Sequence, residues 1–131
     1  EKCFNEDFPQ TKDFYLTLDQ IKELHRHGMM IGSHSVNHLV FSKLSAEEQQ
    51  KEIHDSFTFL ELIIKEKIIA FCYPYGGFHT FTTKTDNLLT KQGAQYSFNV
   101  EPRDITSKDL TNRPQALPRY DCNLFPFGQA Q

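Results

Sequence analysis

Apolar positions along the chain change period repeatedly, and each change predicts an element. Thr17 and Gln20 form a capping-box pair ahead of Ile21 and Leu24, with Asp19 in the first turn and Gly28 placed as the C′ residue. This predicts a helix of about ten residues. The run Met29-Met30-Ile31 stops at Gly32 and predicts a short buried strand. Ser45-Ala46-Glu47-Glu48 repeats the capping box, and behind it Ile53, Phe57, Leu60 and Ile64 recur at helical spacing, so a longer helix runs to about Lys65. Ile68 to Tyr73 is a β-rich run ended by Pro74, a second buried strand. Thr82 to Gln92, closed by Gly93, predicts a third helix, and Gln95 to Val100 a third strand. Residues 1–16, with Pro9, read as an irregular lead-in, and residues 101–116, with Pro102 and Pro114, as polar loop. Leu117 to Tyr120 reads as a short edge strand, where its proline is tolerated. Helix and strand alternate, which is the rhythm of an α/β protein with a parallel sheet.

Composition narrows the class. The 131 residues suffice for one modest domain, spanning 1–131. Hydrophobic residues make up 38% and charged residues 24%, which argues against wholesale disorder. A net charge of -3 gives no reason to expect nucleic acid as a partner. No apolar run approaches the roughly 20 residues of a membrane span. Glu1 to Phe4 is followed by no apolar h-region and the chain lacks an initiator methionine, so it reads as a mature or excised piece of something longer. The three cysteines, Cys3, Cys72 and Cys122, have no CxxC spacing. An odd count favours a reducing, cytoplasmic compartment over a secreted one, with one disulfide and one free thiol left open.

Candidate chemistry concentrates where the predicted strands end. His34 and His38 lie four residues apart just after Gly32-Ser33, a spacing that lets both imidazoles reach one metal ion. Six histidines in the chain produce such a pair by chance roughly 0.3 times, so spacing alone leaves a hydrogen-bonded loop histidine as an alternative. Position at a strand end, where α/β proteins place their sites, favours the metal reading. Asn37 is placed to bond a ring nitrogen and fix its tautomer. The string Tyr73-Pro74-Tyr75-Gly76-Gly77 is either an ordinary turn or one that aims backbone N–H groups at a developing oxyanion. Among the other histidines, His25 and His27 suit a helix C-terminus, His54 a packing edge, and His79 the neighbourhood of a substrate.

Together these strings resemble the polysaccharide deacetylase family, also called the NodB homology domain or carbohydrate esterase family 4. His34-Ser35-x-x-His38 resembles its second motif, preceded by the usual Ile-Gly-Ser at Ile31 to Ser33. Leu44-Ser45-Ala46-Glu47-Glu48 resembles the helix start that follows, Phe71 to Gly76 the third motif of one branch, and Leu117-Pro118-Arg119 a segment near its end. The resemblance runs from about Leu16 to about Tyr120. It implies a partial deformed (β/α) barrel with parallel strands, the C-terminal portion of the domain, whose first strands lie outside these residues. It implies removal of an acetyl group, mostly N-acetyl, from a sugar or polysaccharide by a metal-activated water. The metal, zinc in most members and cobalt or nickel in some, would be held by His34, His38 and an aspartate. The Tyr75 N–H would help hold the oxyanion, and Pro74, Gly76 and His79 would lie on the substrate side. The partner is thus an acetylated glycan.

Three departures accompany the likeness. The first motif, Thr-Phe-Asp-Asp, which supplies the metal aspartate and the base, is absent; Asn5-Glu6-Asp7-Phe8 is the nearest acidic cluster and has no flanking strand. The third motif's arginine is Cys72 here, which makes Arg119 the candidate to orient the base. The last motif's Leu-x-His is not recognisable after Tyr120, so the general acid is unassigned. The piece alone is therefore expected to be inactive, to bind metal weakly, and to associate through exposed strand edges. A degenerate carbohydrate-binding module on the same fold, or an unrelated hydrolase pairing the histidines with Asp121, remain the alternatives.

Overall fold

In the computed structural model, which describes residues 15–126, α1 (Leu18–Arg26) begins where its capping box closes. Thr17 Oγ1 accepts from the Gln20 amide at 3.2 Å and Gln20 Oε1 accepts from the Thr17 amide at 2.8 Å. No residue of α1 is buried, and the helix leans on α2 (Ala46–Ile64). The same reciprocal pair, Ser45 with Glu48, starts α2, which ends at Lys65 in the left-handed conformation. Its stripe is the expected one: Ile53 and Phe57 are buried, and Leu60 and Ile64 pack against the core. β1 (Ala70–Cys72), α3 (Thr83–Gln92) and β2 (Tyr96–Phe98) follow.

The two strands are parallel, with Ala70 opposite Tyr96, Phe71 opposite Ser97 and Cys72 opposite Phe98. Single parallel bridges extend the sheet on both sides, Ser33 to Phe71 and Phe98 to Leu117. Consecutive chain segments thus lie side by side in one direction with helices between them, the progression of a (β/α) barrel. Alternation along the strands separates two faces. Phe71 and Tyr73 point into the helical layer, where Phe71 meets the rings of Phe41, Phe57 and Tyr73 at 5.7, 6.3 and 5.4 Å. Ala70, Cys72 and Phe98 border a cavity of about 270 Å³ together with Met30, Gly32 and His34.

Three expectations are corrected. Met29 to Ile31 is not a strand: pairing is confined to Ser33, whose N–H donates to the Ala70 carbonyl at 2.9 Å and whose carbonyl accepts from Cys72 at 2.8 Å. An apolar run becomes a buried strand only when both sides are covered, and Met29 and Met30 are exposed. Leu117 to Tyr120 likewise pairs only through Leu117. Residues 101–116 are not all loop, because α4 (Ser107–Asn112) and a 3-10 turn at Pro114–Ala116 lie within them. Residues 1–14 of the expected lead-in 1–16, with the Asn5-Glu6-Asp7 cluster and Cys3, lie outside the described residues. Among those described, no helix is long and apolar enough to cross a membrane.

Candidate metal and substrate site

The site is built at the strand ends from three turns. Immediately after the Ser33 bridge the chain presents His34, and its Nδ1–H donates to the Cys72 carbonyl at 2.7 Å, next to β1. That bond fixes the tautomer and leaves Nε2 with its lone pair available to a metal. His38 comes back over the same spot. Its ring lies edge-on to His34 with centroids 4.8 Å apart, and the Tyr75 ring lies 4.8 Å from His38 on the other side. Two imidazoles this close suit zinc, cobalt or nickel. Among the described residues no group of three His, Cys, Asp or Glu side chains that could hold a metal ion is present.

The turn carrying the histidines is held by α2. Glu52 is buried, and its Oε2 accepts from Ser35 Oγ at 3.1 Å, the Val36 amide at 3.0 Å and the Asn37 amide at 2.9 Å. Oε1 accepts from Asn37 Nδ2 at 2.5 Å. Asn37 therefore serves the carboxylate, and the bond expected from it to a ring nitrogen is made by the Cys72 carbonyl instead. Burial alone would raise the Glu52 carboxyl, but the four donors outweigh it and hold the group below the ordinary carboxylate range. Ser33 Oγ lies 2.7 Å from Ser56 Oγ, a further tie between turn and helix.

The Tyr73-Pro74-Tyr75-Gly76 turn is shaped by buried residues. Tyr73 and Pro74 are fully buried, and Gly76 is buried at φ +71°. A Cβ on Gly76 would lie 2.5 Å from Val100 Cγ1, so the position admits only glycine without a shift. Pro74 and Gly76 thus set the shape of the turn and present little surface, whereas Tyr75 is exposed. His79 is also exposed. Its ring sits over Gly77, its carbonyl accepts from Ser42 Oγ, and it does not touch the His34, His38 and Tyr75 rings. His54 is solvent-exposed, not at a packing edge, and His25 and His27 end α1, where His27 faces Glu23.

Arg119 reaches the Cys72 side chain from the Leu117 segment. Burial pushes the Cys72 thiol up, and the Arg119 guanidinium beside it acts in the opposite direction. Arg119 Nε is buried with no hydrogen-bond partner among the described residues, a donor with unused capacity at the point where the resemblance placed an arginine. Asp121 instead caps the following turn through the Asn123 amide at 2.9 Å. Cys72 and Cys122 are free thiols.

Parallel strands in sequential order, with paired imidazoles at their C-terminal ends, define the class of α/β proteins that place their sites at the top of a barrel. The chain belongs to the polysaccharide deacetylase family, whose sequence model matches residues 7–97. It is 32% identical over 88 residues to YxkH of Bacillus subtilis (strain 168), a protein assigned to the polysaccharide deacetylases, covering 67% of this chain and 30% of that one. It is also 32% identical over 84 residues to the peptidoglycan-N-acetylglucosamine deacetylase of Bacillus cereus (strain ATCC 14579), covering 64% of this chain and 39% of the relative. In three dimensions it resembles the Streptococcus pyogenes deacetylase PplD, solved in complex with acetate, with a TM-score of 0.72 and 26% identity over 80% of this chain and 44% of that one. The fold is therefore part of the family's barrel, and the chain spans less than half the length of these relatives.

Proposed function

We propose that this chain forms the later part of a metal-dependent deacetylase that hydrolyses an acetyl group, mostly N-acetyl, from a sugar polymer. The observation that carries the reading is the His34–Cys72 carbonyl bond with the His38 ring 4.8 Å away, because it orients two imidazoles for one ion. His34 and His38 would hold the metal, zinc by donor type with cobalt or nickel also suited, and the third ligand would be a carboxylate outside the described residues. The bound metal would polarise the acetyl carbonyl and lower the pKa of a water.

The remaining steps belong to this chain's own groups. The Tyr75 peptide N–H is the candidate donor to the oxyanion, supported by the tight turn that Gly76 closes against Val100. The unpaired Arg119 Nε is the candidate to orient a carboxylate base. The exposed Tyr75 and His79 side chains would flank the glycan, while buried Pro74 and Gly76 keep the turn in place. The substrate class follows the relatives' names, and the peptidoglycan-acting relative makes an N-acetylated cell-wall glycan the first substrate to try.

The test uses the full-length protein, measuring bound metal and acetate release from an N-acetylglucosamine oligomer. His34→Ala and His38→Ala are each expected to weaken metal binding at least tenfold and to abolish acetate release. Either variant keeping full metal content and activity would refute the assignment.

A further inference from the structure

The two histidines of the candidate site are anchored by different elements. His34 is fixed from β1, through its Nδ1–H to the Cys72 carbonyl at 2.7 Å. Among the described residues the His38 ring makes no such bond. Its backbone N–H donates to Ser35 Oγ at 3.1 Å, and Ser35 Oγ donates in turn to Glu52 Oε2 at 3.1 Å. Glu52 therefore reaches His38 through one hydroxyl while it also holds the Val36 and Asn37 amides at 3.0 and 2.9 Å and the Asn37 side chain at 2.5 Å. Both Ser35 (φ 67°) and His38 (φ 53°) are left-handed, a conformation that non-glycine residues keep only when their surroundings over-determine it. Glu52 is 8% exposed and sits on the buried side of α2 beside Ile53, where a carboxylate is costly unless its acceptors are filled.

We propose that Glu52 is a positioning residue of the metal centre, holding His38 at the distance from His34 that one divalent ion requires. This rests on the metal reading above and extends it to a residue on a different element that touches neither imidazole. Glutamine can replace the carboxylate: its Oε1 takes the three donors now on Oε2, and its amide donates to Asn37 once that side chain turns its oxygen inward. Alanine leaves the amides of exposed Val36 and Asn37 to water, so the fold tolerates the change while the turn is released.

The experiment titrates zinc against a chromophoric chelator in the full-length wild type, Glu52→Ala and Glu52→Gln, and follows the metal-free imidazole signals of His34 and His38 by NMR. Glu52→Ala is expected to weaken zinc binding about tenfold to hundredfold, the usual cost of losing an outer-shell partner. Only the His38 signals should move, and Glu52→Gln should restore both readouts. Asn37→Ala, which removes one donor and keeps the carboxylate, is expected to give a smaller loss in the same direction and serves if Glu52→Ala does not fold. Zinc affinity within twofold of wild type in folded Glu52→Ala, or equal movement of both histidines, overturns the inference and leaves the metal reading intact. A wild type that binds no zinc defeats the metal reading itself, and the inference with it.

Discussion

Four non-glycine residues among those described have left-handed backbone, and three of them, Ser35, His38 and Tyr75, belong to the candidate site. Each such residue costs on the order of 1–3 kcal/mol, so the site concentrates strain that the core must offset. Gly76 is the complementary case, a left-handed position that only glycine fits. Gly76→Ala places a methyl 2.5 Å from Val100 Cγ1 and strains the bond from the Val100 amide to the Gly76 carbonyl. It is expected to lose about 1–3 kcal/mol in a denaturant titration, and a variant as stable as wild type would show that the turn is slack. His34, His38 and Tyr75 were legible in the sequence because each lies in a short distinctive string, the first two just after the bridged Ser33 and the third just after β1. Glu52 was not. It is one position from Ile53 in a helix with charged residues on most turns, and nothing in the sequence says which carboxylate faces inward. Asn37 was misread for the same reason: its donor was evident, but its acceptor is fifteen residues away on another element.

At the scale of elements, capping chemistry predicted better than apolar period. The boxes at Thr17 and Ser45 marked true helix starts, and Gly93 closed α3 as expected. The strands were placed but overextended, since strand length depends on neighbours that periodicity cannot see. α4 was missed because its own box, Thr106 with Asp109, precedes no apolar stripe. That helix is held by charge instead. Asp109 accepts from Arg103 at 2.7 and 2.8 Å and from Arg113 at 3.0 Å, and Glu101 bridges the same two arginines. The Arg103 hydrogen bond, then Thr106, pulls the Asp109 carboxyl well below the usual range, and Arg103 likewise lowers Glu101. A carboxyl lowered on folding contributes stability above its unfolded value, and that contribution is lost as pH falls towards the folded value. Amide protection across Leu110 to Arg113 is therefore expected to fade below about pH 4. Asp109→Asn should lower that protection at neutral pH as well and reduce its acid dependence to the part that Glu101 contributes. Hydrogen exchange at several pH values checks this, and protection that persists unchanged at pH 3 would contradict the ion-pair account.

At the scale of the molecule, the parallel sheet has one covered face and one open edge. The alternation of elements and a partial form of the family's barrel were legible from the sequence, but the length of each strand was not, because that depends on pairing beyond any single element. The Ser33 segment bonds to β1 on one side, and among the described residues nothing pairs with its other side. Met29, Met30, Val36, Phe59 and Leu62 are each more than half exposed on or near the same segment and α2. Val36 and Phe59 also line a groove of about 590 Å³, together with Gly32, His34, Ser35 and Leu60. Exposed apolar surface next to an unpaired edge drives association, and a net charge of -3 is weak protection against it. Residues 1–131 expressed alone are therefore expected to self-associate, seen as a sedimentation coefficient that rises with concentration. Met30→Lys with Leu62→Lys should shift the population towards monomer without changing the helical content. A single monomeric species at every concentration would contradict an open edge that drives association.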